Sequence, residues 1–192
     1  VDWTGVDIRS ESQGESKQPG TIQYKIIELL KRKASYTVIF DDDGAGEAAD
    51  VVAITMFDSD GVSRIDVELY HLKYANGNPG ARVDDLYVVC GQAQRSTRWL
   101  ANHDCKTDLF THLLRRESLR IESGRATRFE RGDDALLTEI REFSRRADMK
   151  LKVFVVQPGL SKAVASTSQM TLLAVTERFL SDTYEVPFLV MC

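Results

Sequence analysis

Three strand-like segments follow one another between residues 36 and 74 with no helical stretch between them, and nothing else in the chain constrains its fold as strongly. Tyr36-Thr37-Val38-Ile39-Phe40 is β-branched and aromatic and stops at Asp41-Asp42-Asp43-Gly44-Ala45-Gly46. Residues 50–57 form a second apolar run, closed by the turn Asp58-Ser59-Asp60-Gly61. Residues 63–74 alternate in character until the Asn76-Gly77-Asn78-Pro79-Gly80 cluster ends them. Three strands in succession exclude a strict strand–helix alternation and predict a mixed sheet flanked by helices.

The helices come from apolar spacing. Over 21–33, Ile22, Ile26, Leu29 and Leu30 share a face, and Thr21 is placed to cap it after Pro19-Gly20. A second helix is expected over 82–100, burying Val83, Leu86, Tyr87 and Cys90. The charged stretch 102–150 reads as a helical insertion, 151–156 as a strand, 168–181 as an amphipathic helix and 186–191 as a final strand or tail. The expected fold is therefore α/β, with a mixed sheet of four to five strands. The expected domain covers 21–192, behind a polar lead-in over residues 1–20. A chain of 192 residues holds one sizeable core.

Composition narrows the setting. No apolar run reaches the roughly 18 residues of a membrane span, so no membrane partner is expected. Cys90, Cys105 and Cys192 are odd in number and lack paired spacing, which fits a reducing cytoplasm. The start Val1-Asp2-Trp3 reads as that of an excised domain. A net charge of −4 argues against a uniformly basic nucleic-acid coat, though not against a local basic groove.

The densest polar signal lies on the third strand, Ile65-Asp66-Val67-Glu68-Leu69-Tyr70-His71-Leu72-Lys73. Side chains alternate faces along a strand, so His71 and Lys73 project with Val67 and Leu69, opposite Asp66, Glu68 and Tyr70. Glu47 and Asp50 put acids at the mouth of the second strand, and Gln92 and Arg95 lie on the following helix. This order of residues resembles the PD-(D/E)xK, or restriction-endonuclease-like, nuclease superfamily. There an acid opens the second strand, an acid-x-lysine follows on the third, and in a subset a glutamine sits on the next helix.

The resemblance implies catalytic roles for Asp50, His71, Lys73, Gln92 and Glu47, with Asp50 and His71 as metal ligands and Lys73 orienting the attacking water. Glu28 is a further candidate for the extra acid of some members. His71 stands where the family carries Asp or Glu, and Glu68 reaches that face only through a β-bulge. Mg²⁺ or Mn²⁺ is the implied cofactor, Mn²⁺ being favoured if the His71 nitrogen is a ligand. More loosely, IFDDDGAGEAAD, LYHLKYANGNPGARVDDLYVVCGQAQRS and VVQPGLSK resemble a C-terminal module of superfamily-two (DEAD/DEAH-type) helicases, several of them in anti-phage defence. The implied function is a metal-dependent DNA nuclease domain of such a protein, with DNA and the helicase portion as partners. The alternative is a DNA-binding or helicase-regulating module of the same fold that has lost its chemistry.

Other groups leave alternatives open. The run Asp41 to Glu47 either holds a cation or is a solvated turn that caps the strand. Gln92, Arg95 and Trp99 share one helical face, where an arginine and an aromatic either meet phosphate and base or are solvated and core. Arg115, Arg116, Arg120, Arg125, Arg128 and Arg131 form either a solvated face or a phosphate-contacting one; Arg115 and Arg116 are the nucleic-acid candidates among them. His103, Cys105 and His112 lack the spacing and the fourth partner of a zinc site. Cys90 reads as buried packing.

Overall fold

The computed structural model describes residues 1–59, 61–77, 80, 82–100 and 107–192. Its centre is a six-stranded mixed sheet in the order β4-β1-β2-β3-β5-β6. The first three strands, β1 (Val38–Asp41), β2 (Val51–Ser59) and β3 (Val62–Leu72), form an antiparallel meander. Strand β5 (Asp148–Val156) then runs parallel to β3, and β6 (Phe188–Met191) parallel to β5. The mixed character follows from the connections. A short turn suffices to reverse β2 into β3, whereas α2 (Asp84–Arg95), a 3₁₀ turn (Ser96–Trp99), α3 (Asp108–Glu122) and α4 (Asp134–Phe143) intervene before β5.

The expected four to five strands become six because the charged stretch is not purely helical. Between α3 and α4, β4 (Phe129–Arg131) pairs antiparallel with β1 at the sheet edge. Three residues are too few for a periodic signal, and a tertiary contact holds them: the Phe129 ring meets Phe40 edge-on at 5.0 Å.

Alternation along the strands feeds two cores. Val52, Ile54, Val67 and Leu69 face α2, α3, α4 and α5 (Thr167–Tyr184). Val51, Ala53, Tyr70 and Leu72 face α1 (Ile22–Lys31), whose Ile22, Ile26, Ile27 and Leu30 are buried against them. Burying each such aliphatic side chain contributes about 1.5–3 kcal/mol. Thr21 caps α1 by accepting from the Tyr24 N–H, and Ser166 with Gln169 forms a capping box on α5. Gln169 also donates to the carbonyls of Gly80 and Arg82, at 2.8 Å each, which fixes the approach to α2.

Residues 1–20, read as a lead-in, are tied into this frame. The Ala75 N–H donates to Ile8 O, Gln13 is buried, and Trp3 and Val6 pack on the α1 core. Among the described residues no helix is long and apolar enough to cross a membrane.

Candidate active site

The antiparallel start of β2 beside the end of β3 brings the site together. Val51 pairs with Tyr70, so Asp50 sits level with His71, and its Oδ2 accepts from the Leu72 N–H at 2.8 Å. That bond fixes a buried carboxylate against β3. The loop before it bends back: Gly44 and Gly46 take φ of +116° and +84°, a region where a Cβ is strained. The bend brings Asp43 and Glu47 to Asp50, with carboxylate oxygens of all three within 4.8 Å of one another.

A fourth carboxylate joins from the N-terminal segment. Glu11 Oε2 accepts from the Tyr74 N–H at 2.8 Å and pairs with Lys73 Nζ at 3.0 Å. Glu11 bears electrostatically on both Asp50 and Glu47. Burial, followed by the negative charges of Glu47, Glu11 and Asp43, lifts Asp50 well above the usual carboxylate range, against the pull of the Leu72 N–H. Glu47 is raised too, chiefly by burial. None of the three carboxylates has a salt-bridge partner among the described residues: Lys73 pairs with Glu11, and Arg116 lowers Glu47 only from a distance. Their all-oxygen donor set suits a hard divalent ion.

Arginine holds the loop in place. Arg116 Nε pairs with Asp42 Oδ1, while its Nη1 and Nη2 donate to Ala45 O at 2.7 Å and Asp42 O at 2.6 Å. Arg128 donates to Asp41 O at 2.8 Å and Asp43 O at 3.1 Å. Farther along the same run, Arg120 donates to Ala126 O and Arg131 to Lys33 O. Much of the run expected as a solvated or phosphate-binding face thus satisfies backbone carbonyls; Arg116 is placed as a clamp, and Arg115 is exposed. A planar fork with five donors suits loop carbonyls as well as it suits phosphate.

The other expected site residues are distributed around the acids. Gln92 Nε2 reaches Glu47 Oε1 at 3.5 Å, and its Oε1 has no partner among the described residues. His71 lies outside the carboxylate group: its Nε2 shares a 2.7 Å hydrogen bond with Ser96 Oγ, and its Nδ1 has no partner among the described residues. Burial, then the charge of Arg95, pushes His71 down to about 3, so the ring is neutral. Glu68 stays on the opposite face, because β3 keeps an unbroken register with β2 and β5. There it accepts from Tyr36 and Tyr70 at 2.5 and 2.6 Å. Glu28 pairs with Lys31 on α1. Arg95 and Trp99 line a cavity of about 630 Å³ together with Gly44, Glu47, His71 and Gln92. His112 packs tilted against Trp99, ring centres 5.0 Å apart, while His103 and Cys105 lie outside the described residues. Cys90 is buried.

The sequence reading missed Glu11 and left Asp43 open between a cation ligand and a strand cap. Glu11 lies in a polar stretch with no periodicity, and only the folded chain brings it to Lys73. Asp43 carried a signal, the acid run itself, but neighbouring aspartates are not separable before the loop's course is known.

No family model matches this chain, and no curated protein matches it. Among solved structures, it is similar to that of the restriction endonuclease FokI, with 10% identity and a TM-score of 0.42. The likeness covers 95% of this chain and 24% of the other, so the chain spans about a quarter of that protein's length.

Proposed function

We propose that the protein is a metal-dependent nuclease domain that hydrolyses DNA phosphodiesters at the mouth of β2. The observation that carries this reading is the convergence of Asp43, Glu47 and Asp50, three carboxylates within 4.8 Å of one another, with the Lys73–Glu11 pair acting on them through Glu11. Asp43, Glu47 and Asp50 would hold Mg²⁺ or Mn²⁺. When bound, such an ion polarises the phosphoryl oxygen and lowers the pKa of a bound water. Lys73, held by Glu11, provides a fixed positive charge beside the acids for the charge that develops on phosphate. Gln92 steadies Glu47, and the exposed Arg95 offers a phosphate contact. His71, bonded to Ser96 and outside the carboxylate group, supports the pocket wall rather than the ion, so the nitrogen-ligand argument for Mn²⁺ loses its support.

The residue order shared with the PD-(D/E)xK superfamily supports the same reading, and the looser likeness to helicase C-terminal modules supports a larger DNA-processing or defence protein as the setting. One observation favours the second reading, a binding module without chemistry: the third strand offers a buried histidine where the family carries an acid. The test is cleavage of single- and double-stranded DNA with Mg²⁺ and Mn²⁺, for the wild type and Lys73→Ala. Metal-dependent cleavage that the substitution removes supports the nuclease. Salt-sensitive DNA binding with no cleavage under any metal supports the binding module and overturns the nuclease reading.

A further inference from the structure

The cavity beside the acids has a lining that phosphodiester hydrolysis alone does not require. At about 630 Å³ it falls within the roughly 300–1,000 Å³ of small-molecule pockets. One wall is flat: the Arg98 guanidinium lies 4.1 Å over the Trp99 ring, and His112 braces that ring from 5.0 Å. Two polar atoms of the lining have no partner among the described residues. His71 is 2% exposed, its Nε2 is engaged by Ser96, and these two atoms are its Nδ1 and Gln92 Oε1. Buried polar atoms normally find partners, and two orphans in one cavity mark positions where a ligand supplies them. Arg95 and Arg98 are both exposed, and Arg95 has no ion pair among the described residues.

A ligand that satisfies all three features is planar, carries hydrogen-bonding edges and is joined to anionic groups. Resting on the nuclease reading, we infer that this cavity receives one nucleobase of the bound strand, turned out of its stack. Its edge meets His71 and Gln92, its face meets the Arg98–Trp99 pair, and its flanking phosphates meet Arg95 and Arg98. A base inside a duplex cannot enter without losing its pairing and stacking. The preferred substrate is therefore a single strand, or DNA with an unpaired nucleotide beside the scissile phosphate. The hydroxyl of Ser96 either donates or accepts, so His71 Nδ1 presents whichever role the opposite tautomer leaves it.

Trp3 and Trp99 are the only two tryptophans, so Trp3→Phe leaves Trp99 as the single fluorescent reporter. Asp50→Asn, which keeps an oxygen for the Leu72 N–H, is added to silence hydrolysis. The protein is titrated with a single-stranded oligonucleotide, its duplex, and single strands bearing one abasic nucleotide moved along the sequence. The expected result is quenching of Trp99 by the single strand, with affinity about tenfold above the duplex. One abasic position should remove the quench and weaken binding about tenfold, the loss of one stacked base. Equal affinity for single strand and duplex, an abasic scan without a sensitive position, or no binding to any strand overturns the inference. Because the scan varies the DNA, it does not depend on a pocket variant folding. The two readings fail separately. A flat scan with metal-dependent cleavage by the wild type removes the base pocket and leaves the nuclease. One sensitive position without cleavage does the reverse.

Discussion

Two sets of acids from one ten-residue stretch behave in opposite ways. Asp41 and Asp42 turn inward and are neutralised: Asp41 accepts from Gln13 at 3.0 Å and Gln23 at 2.9 Å, and Asp42 pairs with Arg116 and accepts from the Ala48 N–H at 2.7 Å. Asp43, Glu47 and Asp50 converge on one another, with Lys73 reaching them only through Glu11. Burial raises members of both sets, Asp42 to about 6 and Asp50 well above its usual range. What separates them is the next cause: an arginine pulls Asp42 down, whereas further carboxylates push Asp50 up after its one backbone bond. Burial alone therefore does not distinguish the two sets; burial among like charges does, and that is what the proposed function rests on.

The comparison breaks most sharply on substitution. Asp50→Asn should lower DNA cleavage by about 10³-fold or more, the scale of losing a central charge-stabilising element. The same change should leave thermal stability unchanged or higher, because it removes one of several repelling charges. Arg116→Met should act the other way round. It leaves Asp42 buried without its cation and releases the carbonyls of the loop, at a cost of roughly 3 kcal/mol, read by urea unfolding. If Asp50→Asn unfolds the protein and Arg116→Met does not, the assignment of the two sets is inverted.

How much of this was visible beforehand depends on the range of the interaction. The meander β1–β3, α1 and α5 were legible because their signal is local alternation or helical spacing in the residues themselves. So was the closeness of Glu47 and Asp50 at the mouth of β2, since a residue order over neighbouring elements survives without coordinates. β4 was not, because its pairing rests on Phe129 meeting Phe40 across 89 positions. The arginines of the charged stretch misled for the same reason. A run such as Arg116, Arg128 and Arg131 looks the same whether its donors meet phosphate or carbonyls of residues 31 to 45. Glu11 shows the limit: a glutamate in a segment without pattern acquires its place only when residues 1–20 fold over the end of β3.

A metal titration sharpens the comparison at intermediate scale. Because the folded pKa of Asp50 is raised, the folded state holds its proton more tightly than the unfolded chain does. The associated stability is present at low pH and is lost as pH rises through the folded value. A divalent ion that takes the proton's place should restore it. Saturating Mg²⁺ should therefore raise the melting temperature more at pH 8 than at pH 5, by several degrees for about 1–2 kcal/mol of ion binding. Asp50→Asn should reduce that pH dependence, whereas Asp42, raised to about 6 but paired with Arg116, should add the same slope with and without the ion. An ion effect equal at both pH values would place the bound cation elsewhere.

The smallest effect tests whether the neutralised acids are truly separate from the site. Glu130, on β4, belongs with Asp41: it accepts from Gln13 and pairs with Lys17 and Lys31 at 3.0 Å each. Burial tends to raise it, but Lys31, Lys17 and Gln13 together hold it below its ordinary value. A depressed carboxylate contributes stability above its unfolded pKa and loses it as pH falls through the folded one. Lys17→Met removes one partner whose side chain is 42% exposed, and Lys31 remains, so the loss should be below about 1 kcal/mol at pH 7. It should vanish under acid conditions, once Glu130 is protonated in both states. Cleavage should not change, because no contact joins Lys17 to Asp43, Glu47 or Asp50 among the described residues. A tenfold fall in rate with so small a loss of stability would mean that the Gln13–Asp41–Glu130 network sets the position of the catalytic loop. The two sets of acids would then be one mechanism rather than two.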